Sequence, residues 1–312
     1  MNSLCAQAFK QVLRLQQPIL FSIRHPHQLV RFEPLLVRLL RLPTQIKQTE
    51  QLISHQRVMV LRNQRDDTHP ARVLVYLHGG GYNVGSPNTH KVFAARLMQA
   101  AQLHTSYLPY YRRAPEHPFP AALDDVLAVW RELIARHPND QIILAGESAG
   151  GGPCLALCQQ ARQLDLRLPD RLYLHSPWLD VGLTAERYTD LRHHDAFLGR
   201  HPQRQQWLHR VFARHYIGTA TPNNPLLSPI YLDPTGFPPL LIQTGSEEVF
   251  LQDSQTLSAR YNSAGLRCTL EVWQGMWHAF AFLAPPWLPE ANQAIRRVGQ
   301  WLKNDTPRCE LN

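Results

Sequence analysis

From Arg72 onward the chain alternates short β-rich runs with longer helical patterns, and no other feature narrows its fold so far. RVLVYLH (72–78) precedes NTHKVFAARLMQAA, HTSYLPYY (104–111) precedes AALDDVLAVWRELIARH, and QIILAGE (141–147) precedes AGGGPCLALCQQARQL. After RLYLHS (171–176) and a long interruption, PPLLIQTG precedes SQTLSARYNSAG, and RCTLEVWQ (267–274) precedes EANQAIRRVGQWLKN. The second helical run carries Leu123, Val126, Leu127, Trp130, Leu133 and Ile134 at helical spacing, so one face is apolar. Strands alternating with helices predict an α/β fold, a mostly parallel sheet flanked by helices on both faces. ISHQRVMVLRNQ, ahead of the first pair, reads as half of an antiparallel hairpin at the sheet edge.

Two stretches break the alternation. Residues 1–48 read as helical and amphipathic, with Phe32, Leu35, Leu36, Leu39 and Leu40 apolar. Residues 181–217, rich in Arg, His and aromatics, interrupt the strand series, and an insertion of that length in a compact domain is commonly a lid. The expected organisation is an N-terminal helical part (1–48), a first part of the core (49–180), an insertion read as a lid (181–217) and a second part of the core (218–312). A chain of 312 residues is long enough for one large α/β domain with such an appendage.

The formal net charge of +8 raises a nucleic-acid role, but the basic residues are mostly Arg and spread along the chain. No dense basic block, zinc-finger spacing or aromatic–basic interleaving accompanies them, so no nucleic-acid partner is expected. A diffuse positive surface remains. Five cysteines (Cys5, Cys154, Cys158, Cys268, Cys309) form no paired framework, which points to a reducing compartment. Cys154 and Cys158, one helical turn apart, read as buried helix residues rather than metal ligands. RHHD (192–195) lacks the spacing of a metal site, and no metal is expected. The first 25 residues lack a basic stretch followed by an unbroken apolar core, and no run of 18 apolar residues exists. No signal peptide, no stable membrane insertion and a cytoplasmic location are the expectations.

GESAG (146–150) follows an apolar strand and opens a helix continued by Gly151 and Gly152. A strand-to-helix turn this tight needs glycines, and it presents Ser148 at the sheet's C-terminal edge near a helix N-terminus. HGGGY (78–82) also follows a strand, and its glycines let main-chain N–H groups converge on a developing negative charge. A phosphate-cradling loop is the competing reading, but neither GK[ST] nor GxGxxG is present. A serine hydroxyl needs a base. Of sixteen histidines, His278 in GMWHAF lies beyond the last predicted strand, on a loop at the same sheet edge as Ser148. TGSEEVFLQDS (244–254), after the penultimate strand, supplies Glu247, Glu248 and Asp253 as candidate orienting acids. Asp253, ahead of SQTLSARYNSAG, reads as the N-cap of the next helix. The order Ser, acid, His is the chain order of α/β-hydrolases.

On these blocks the chain resembles the hormone-sensitive-lipase-like family of α/β-hydrolases, the HGGG-type carboxylesterases. HGGGYNVGSPNTH, YRRAPEHPFPAALDD, GESAGGG, SPWLD and GMWHAF match its signature blocks in order, from about Arg72 to Trp301. The resemblance implies the α/β-hydrolase fold with a helical cap made of an N-terminal helical part (1–48) and a cap insertion (181–217), Ser148 as nucleophile and His278 as general base. It implies Gly80, Gly81 and Ala149 as oxyanion N–H donors, His78 as a brace for the glycine loop, and a structural role for Glu116. By position in the family motif Glu248 takes the acid slot usually held by Asp, leaving Glu247 as a surface charge. Glu147 stands where the family commonly has Asp.

The implied activity is hydrolysis of short-to-medium acyl esters or lactones, with no cofactor and a small-molecule ester as partner; a homodimer is open. The alternatives are an amide-cleaving relative such as an arylformamidase, and a binding protein on the same scaffold. Tyr82, Trp178, Phe197, Trp207, Trp277 and Phe282 are the candidates to line the substrate pocket.

Overall fold

The computed structural model describes residues 2–64, 72–183, 195–199, 204–283, 285 and 287–303. Three helices come first: α1 (Leu4–Ser22), α2 (His27–Val30) and α3 (Glu33–Leu39). The strands are β1 (Ile46–Ile53), β2 (Gln56–Asn63), β3 (Arg72–Leu77), β4 (Thr105–Pro109), β5 (Gln141–Glu147), β6 (Arg171–His175), β7 (Leu240–Gly245) and β8 (Cys268–Trp273). They form one sheet in the order β1-β2-β4-β3-β5-β6-β7-β8. β1 and β2 pair antiparallel, β2 pairs antiparallel with β4, and every other neighbour is parallel. The fold is the α/β-hydrolase fold.

Buried faces explain the strand pattern. β4 and β6 are buried at every residue, and β5 at all but Gln141, as expected of parallel strands covered on both sides. β1 is different. It carries IKQTEQLI, is buried only at its two ends, and turns into β2 through Ser54 and His55, both at positive φ. The hairpin therefore starts at Ile46, and the helical stretch expected to reach residue 48 stops at Leu39.

The helices α4 (Pro87–Ala101), α5 (Ala121–Arg136), α6 (Gly151–Gln163), α7 (Arg204–Leu208), α8 (Arg214–Ile217), α9 (Leu251–Ser263), α10 (Phe280–Leu283) and α11 (Pro289–Lys303) complete the chain. A π-turn, His209–Ala213, joins α7 to α8. Apolar cores fill both sides of the sheet. Within YRRAPEHPFPAALDD the Arg112 guanidinium grips Asp125 (Nη2 to Oδ1 2.8 Å), and Glu116 is exposed, 3.7 Å from His27. The turn is thus held by Arg112 and Asp125, not by Glu116. Cys154 and Cys158 are buried free thiols whose pKa burial raises; Cys309 lies outside the described residues. Among the described residues no helix is long and apolar enough to cross a membrane.

Candidate active site

Ser148 sits on the turn between β5 and α6 with φ 50°, a left-handed conformation that a non-glycine residue adopts only when its surroundings impose it. Those surroundings are tight: a Cβ on Gly150 would come within 2.2 Å of the Leu77 carbonyl oxygen, so only glycine fits there. The turn aims the Ser148 hydroxyl into a cavity of about 550 Å³ with an almost entirely apolar lining.

His278 follows β8 on a loop that crosses to the same edge, and its Nε2 lies 2.9 Å from Ser148 Oγ. Phe250 meets the imidazole edge-on at 5.1 Å and Phe197 lies parallel to it at 6.4 Å, which restricts the ring. Of the three acids, Glu248 faces the imidazole: its Oε1 is 3.8 Å from His278 Nδ1. That gap is longer than a hydrogen bond, and neither atom has another partner among the described residues. Contacts of this kind commonly shorten when substrate binds. The other carboxylate oxygen, Oε2, is fixed by the Ser176 hydroxyl at 2.6 Å and the Gly245 N–H at 2.8 Å. Burial by itself disfavours the imidazolium, yet Glu248 outweighs it, with help from Asp195 and Glu147, and holds the His278 pKa above its ordinary 6.5.

The two neighbouring acids are occupied elsewhere. Glu247 is half-buried rather than a free surface charge, and Lys10 of α1 pairs with it at 2.6 Å. Asp253 lies inside the first turn of α9 and does not cap it. The helix begins at Leu251, and Asp253 Oδ2 accepts the N–H groups of Leu179 (2.8 Å) and Asp180 (3.1 Å).

The glycine loop curls beside Ser148, and Gly80 and Gly81 line the same cavity. Asn83 and Val84 donate their N–H groups to the Gly80 carbonyl, and the Asn83 amide donates to that of Gly81 (2.6 Å). With those carbonyls tied back, no acceptor among the described residues takes the Gly80 or Gly81 N–H. At Gly81 (φ 60°) a Cβ would meet the Phe212 ring at 2.6 Å. Ala149 directly follows Ser148 in the buried 3₁₀ turn that opens α6. His78 is neutral, its pKa pushed well below normal by burial; its Nδ1–H donates to the Gly79 carbonyl at 2.8 Å, and its ring stacks on Tyr111 at 4.3 Å. Glu147 Oε2 lies 3.2 Å from His90 Nε2 behind the loop, a buried pair whose partner histidine sequence reading did not single out.

Four of the six pocket candidates line the cavity: Trp178, Phe197, Trp207 and Phe282. Tyr82 and Trp277 do not. The Tyr82 ring stacks on Tyr216 at 4.0 Å and its hydroxyl donates to the Trp178 carbonyl, so it supports the glycine loop from below. Trp277 packs against Phe9 in the core on the other face of the sheet, since neighbouring residues of an extended loop face opposite ways. Leu20, Leu29 and Phe32 of the N-terminal segment complete the wall.

Two residues that sequence reading gave no role are central to the geometry. Ser176, in SPWLD, donates to Glu248 and accepts the Ala279 N–H (3.1 Å), so one hydroxyl fastens the acid loop to the histidine loop. Asp195, the end of RHHD, accepts the Val249 N–H (3.0 Å) and the N–H groups of Phe197 and Leu198. It is fully buried and tethers the insertion to the acid loop. The rest of RHHD lies outside the described residues.

A family model described by its alpha/beta hydrolase fold matches residues 74–282. An acetyl-hydrolase of Streptomyces hygroscopicus is 38% identical over 236 residues, 75% of this chain and 76% of its own. An esterase of Acinetobacter venetianus is 32% identical, spanning 74% of each chain. The crystal structure of an esterase from the bacterial hormone-sensitive lipase (HSL) family superposes with a TM-score of 0.85 at 31% identity, covering 97% of this chain and 98% of that one.

Proposed function

The chain belongs to the hormone-sensitive-lipase-like family of α/β-hydrolases and is a carboxylic ester hydrolase, and from that premise we propose a Ser148–His278–Glu248 triad acting on short-to-medium acyl esters, lactones included. The observation that carries the reading is the 2.9 Å contact between His278 Nε2 and the Oγ of a serine held at positive φ.

With its proton on Nδ1, facing Glu248, the imidazole accepts the Ser148 O–H through Nε2. Ser148 Oγ attacks the ester carbonyl as that proton passes to His278, and the carbonyl oxygen becomes an oxyanion taken by the Gly80, Gly81 and Ala149 N–H groups. Glu248 stabilises the imidazolium. As the intermediate collapses, His278 protonates the departing alcohol, leaving an acyl-serine. Water then enters, His278 removes its proton, and the same sequence releases the acid and restores Ser148.

In this reading the N-terminal helices up to Leu39, with the described part of the 181–217 insertion, form a cap over a core whose sheet begins at Ile46, two residues before the expected boundary at 48. Leu20, Phe32, Trp207 and Phe212 share one cavity with Ser148 and His278, which supports that division. The apolar wall favours an acyl chain over a charged substrate. p-Nitrophenyl esters of graded acyl length, assayed with the native protein and Ser148→Ala, test the proposal. Turnover of the shorter and middle chains, abolished by the substitution, is expected. Turnover that survives in Ser148→Ala, or none with any ester, contradicts it.

A further inference from the structure

α1 is apolar on two opposite faces. Ala6, Leu13 and Leu20 point inward and are buried. Leu4, Val12, Leu15 and Ile19 recur on the outer face and are 81%, 58%, 79% and 71% exposed. An amphipathic helix buries one apolar stripe against the core, and this one carries a second apolar stripe that faces solvent. The same holds at the cavity: Phe32, Leu35 and Leu39 line it and are 66%, 63% and 74% exposed, so its mouth opens through an apolar surface. These seven are most of the large apolar side chains exposed among the described residues, which makes the N-terminal segment a concentrated patch and not scattered surface.

Charge identifies the occupant. Basic residues are spread along the chain, but acids are nearly missing from its first 48 residues. Lys10, Arg14, Arg24, Arg31, Arg38, Arg41 and Lys47 face a single carboxylate there, Glu33, which places +6 of the formal +8 in this segment. Arg24, Arg31, Arg38 and Arg41 are exposed and form no ion pair with a carboxylate among the described residues. Apolar side chains interleaved with unpaired arginines suit a surface that is hydrocarbon beneath an anionic headgroup layer.

We propose that α1–α3 form a docking face for an anionic phospholipid membrane, with the cavity mouth turned toward the lipid. An acyl ester would then pass from the bilayer to Ser148 without crossing water, a consequence that rests on the ester-hydrolase reading. Docking requires no chemistry at Ser148, so it is measured on Ser148→Ala.

The experiment is co-sedimentation with vesicles of phosphatidylcholine alone and of phosphatidylcholine mixed with phosphatidylglycerol. Binding to the mixed vesicles is expected, weakening as salt is raised. Replacing Arg31 and Arg38 by Gln should lower the partition coefficient about thirtyfold, from roughly 1 kcal/mol per arginine near the surface. Leu15→Ser with Ile19→Ser should also weaken binding, while hydrolysis of a soluble ester by the otherwise native protein is kept. Equal partition to both vesicle types, or none, overturns the proposal. So does light scattering that shows a dimer which Leu15→Ser with Ile19→Ser converts to monomer, because the patch is then covered by a second copy.

Discussion

Replacing Glu248 by Gln keeps the shape of the side chain and removes its charge. Ser176 and Gly245 both donate to Glu248 Oε2, so the amide oxygen of Gln takes that position and the NH₂ turns toward His278 Nδ1. An NH₂ there donates to Nδ1 and drives the ring proton to Nε2, the atom that must accept from Ser148. The lost charge can be weighed separately. At 3.8 Å and an effective dielectric of about 20, a carboxylate stabilises the imidazolium by about 4 kcal/mol, or about three decades in rate. We therefore expect kcat/KM on a p-nitrophenyl ester to fall by about a thousandfold or more in Glu248→Gln. Glu247→Gln should stay within about threefold of native activity and cost about 1 kcal/mol of stability, because it weakens only the half-buried pair with Lys10. Circular dichroism and thermal melts on both variants establish that each is folded. The reverse ranking, with Glu247→Gln crippled and Glu248→Gln active, would refute the assignment of the acid.

The base must be neutral to act, so kcat/KM should rise with pH along a limb centred above 6.5, and that limb should move down in Glu248→Gln; a limb that ignores the substitution counts against the pairing. Ser176→Ala should lower kcat by roughly tenfold or more with KM little changed, since it loosens Glu248 and the His278 loop together without touching the cavity. His175 is buried at the end of β6, and burial, with His278 nearby, pushes its pKa down to about 3. A depressed histidine gives full stability above its unfolded pKa of 6.5 and loses it as pH falls toward 3, at about 1.4 kcal/mol per pH unit. Melting temperature against pH should therefore slope less steeply across that window in His175→Gln, and an unchanged slope would contradict the account.

The parallel core was legible because strands buried on both faces read as short continuous apolar runs, and their helices as amphipathic periods. β1 was not: an edge strand with its middle in solvent carries neither pattern. Ser148 and His278 were legible from the turn glycines and from position after the last strand. Glu248 could be separated from Glu247 only through the family motif, because two adjacent carboxylates on a loop look alike until Lys10, far away in the chain, takes one of them. Asp253 looked like a cap because it precedes a helical pattern, whereas the helix begins earlier and turns that carboxylate onto the chain after β6. Ser176 and Asp195 act on partners 72 and 54 residues away, and no local spacing encodes such contacts. Tyr82 and Trp277 show the same limit for aromatics: nearness in sequence to the glycine loop or to His278 does not say which way a ring points.

The most direct test of the central claim is covalent labelling of the folded native protein with a fluorophosphonate, followed by intact mass and peptide mapping. The structure predicts a single adduct, on Ser148, formed rapidly in the native protein and slowed by orders of magnitude in His278→Ala and after denaturation. An unlabelled protein, or an adduct on any other residue, would contradict it.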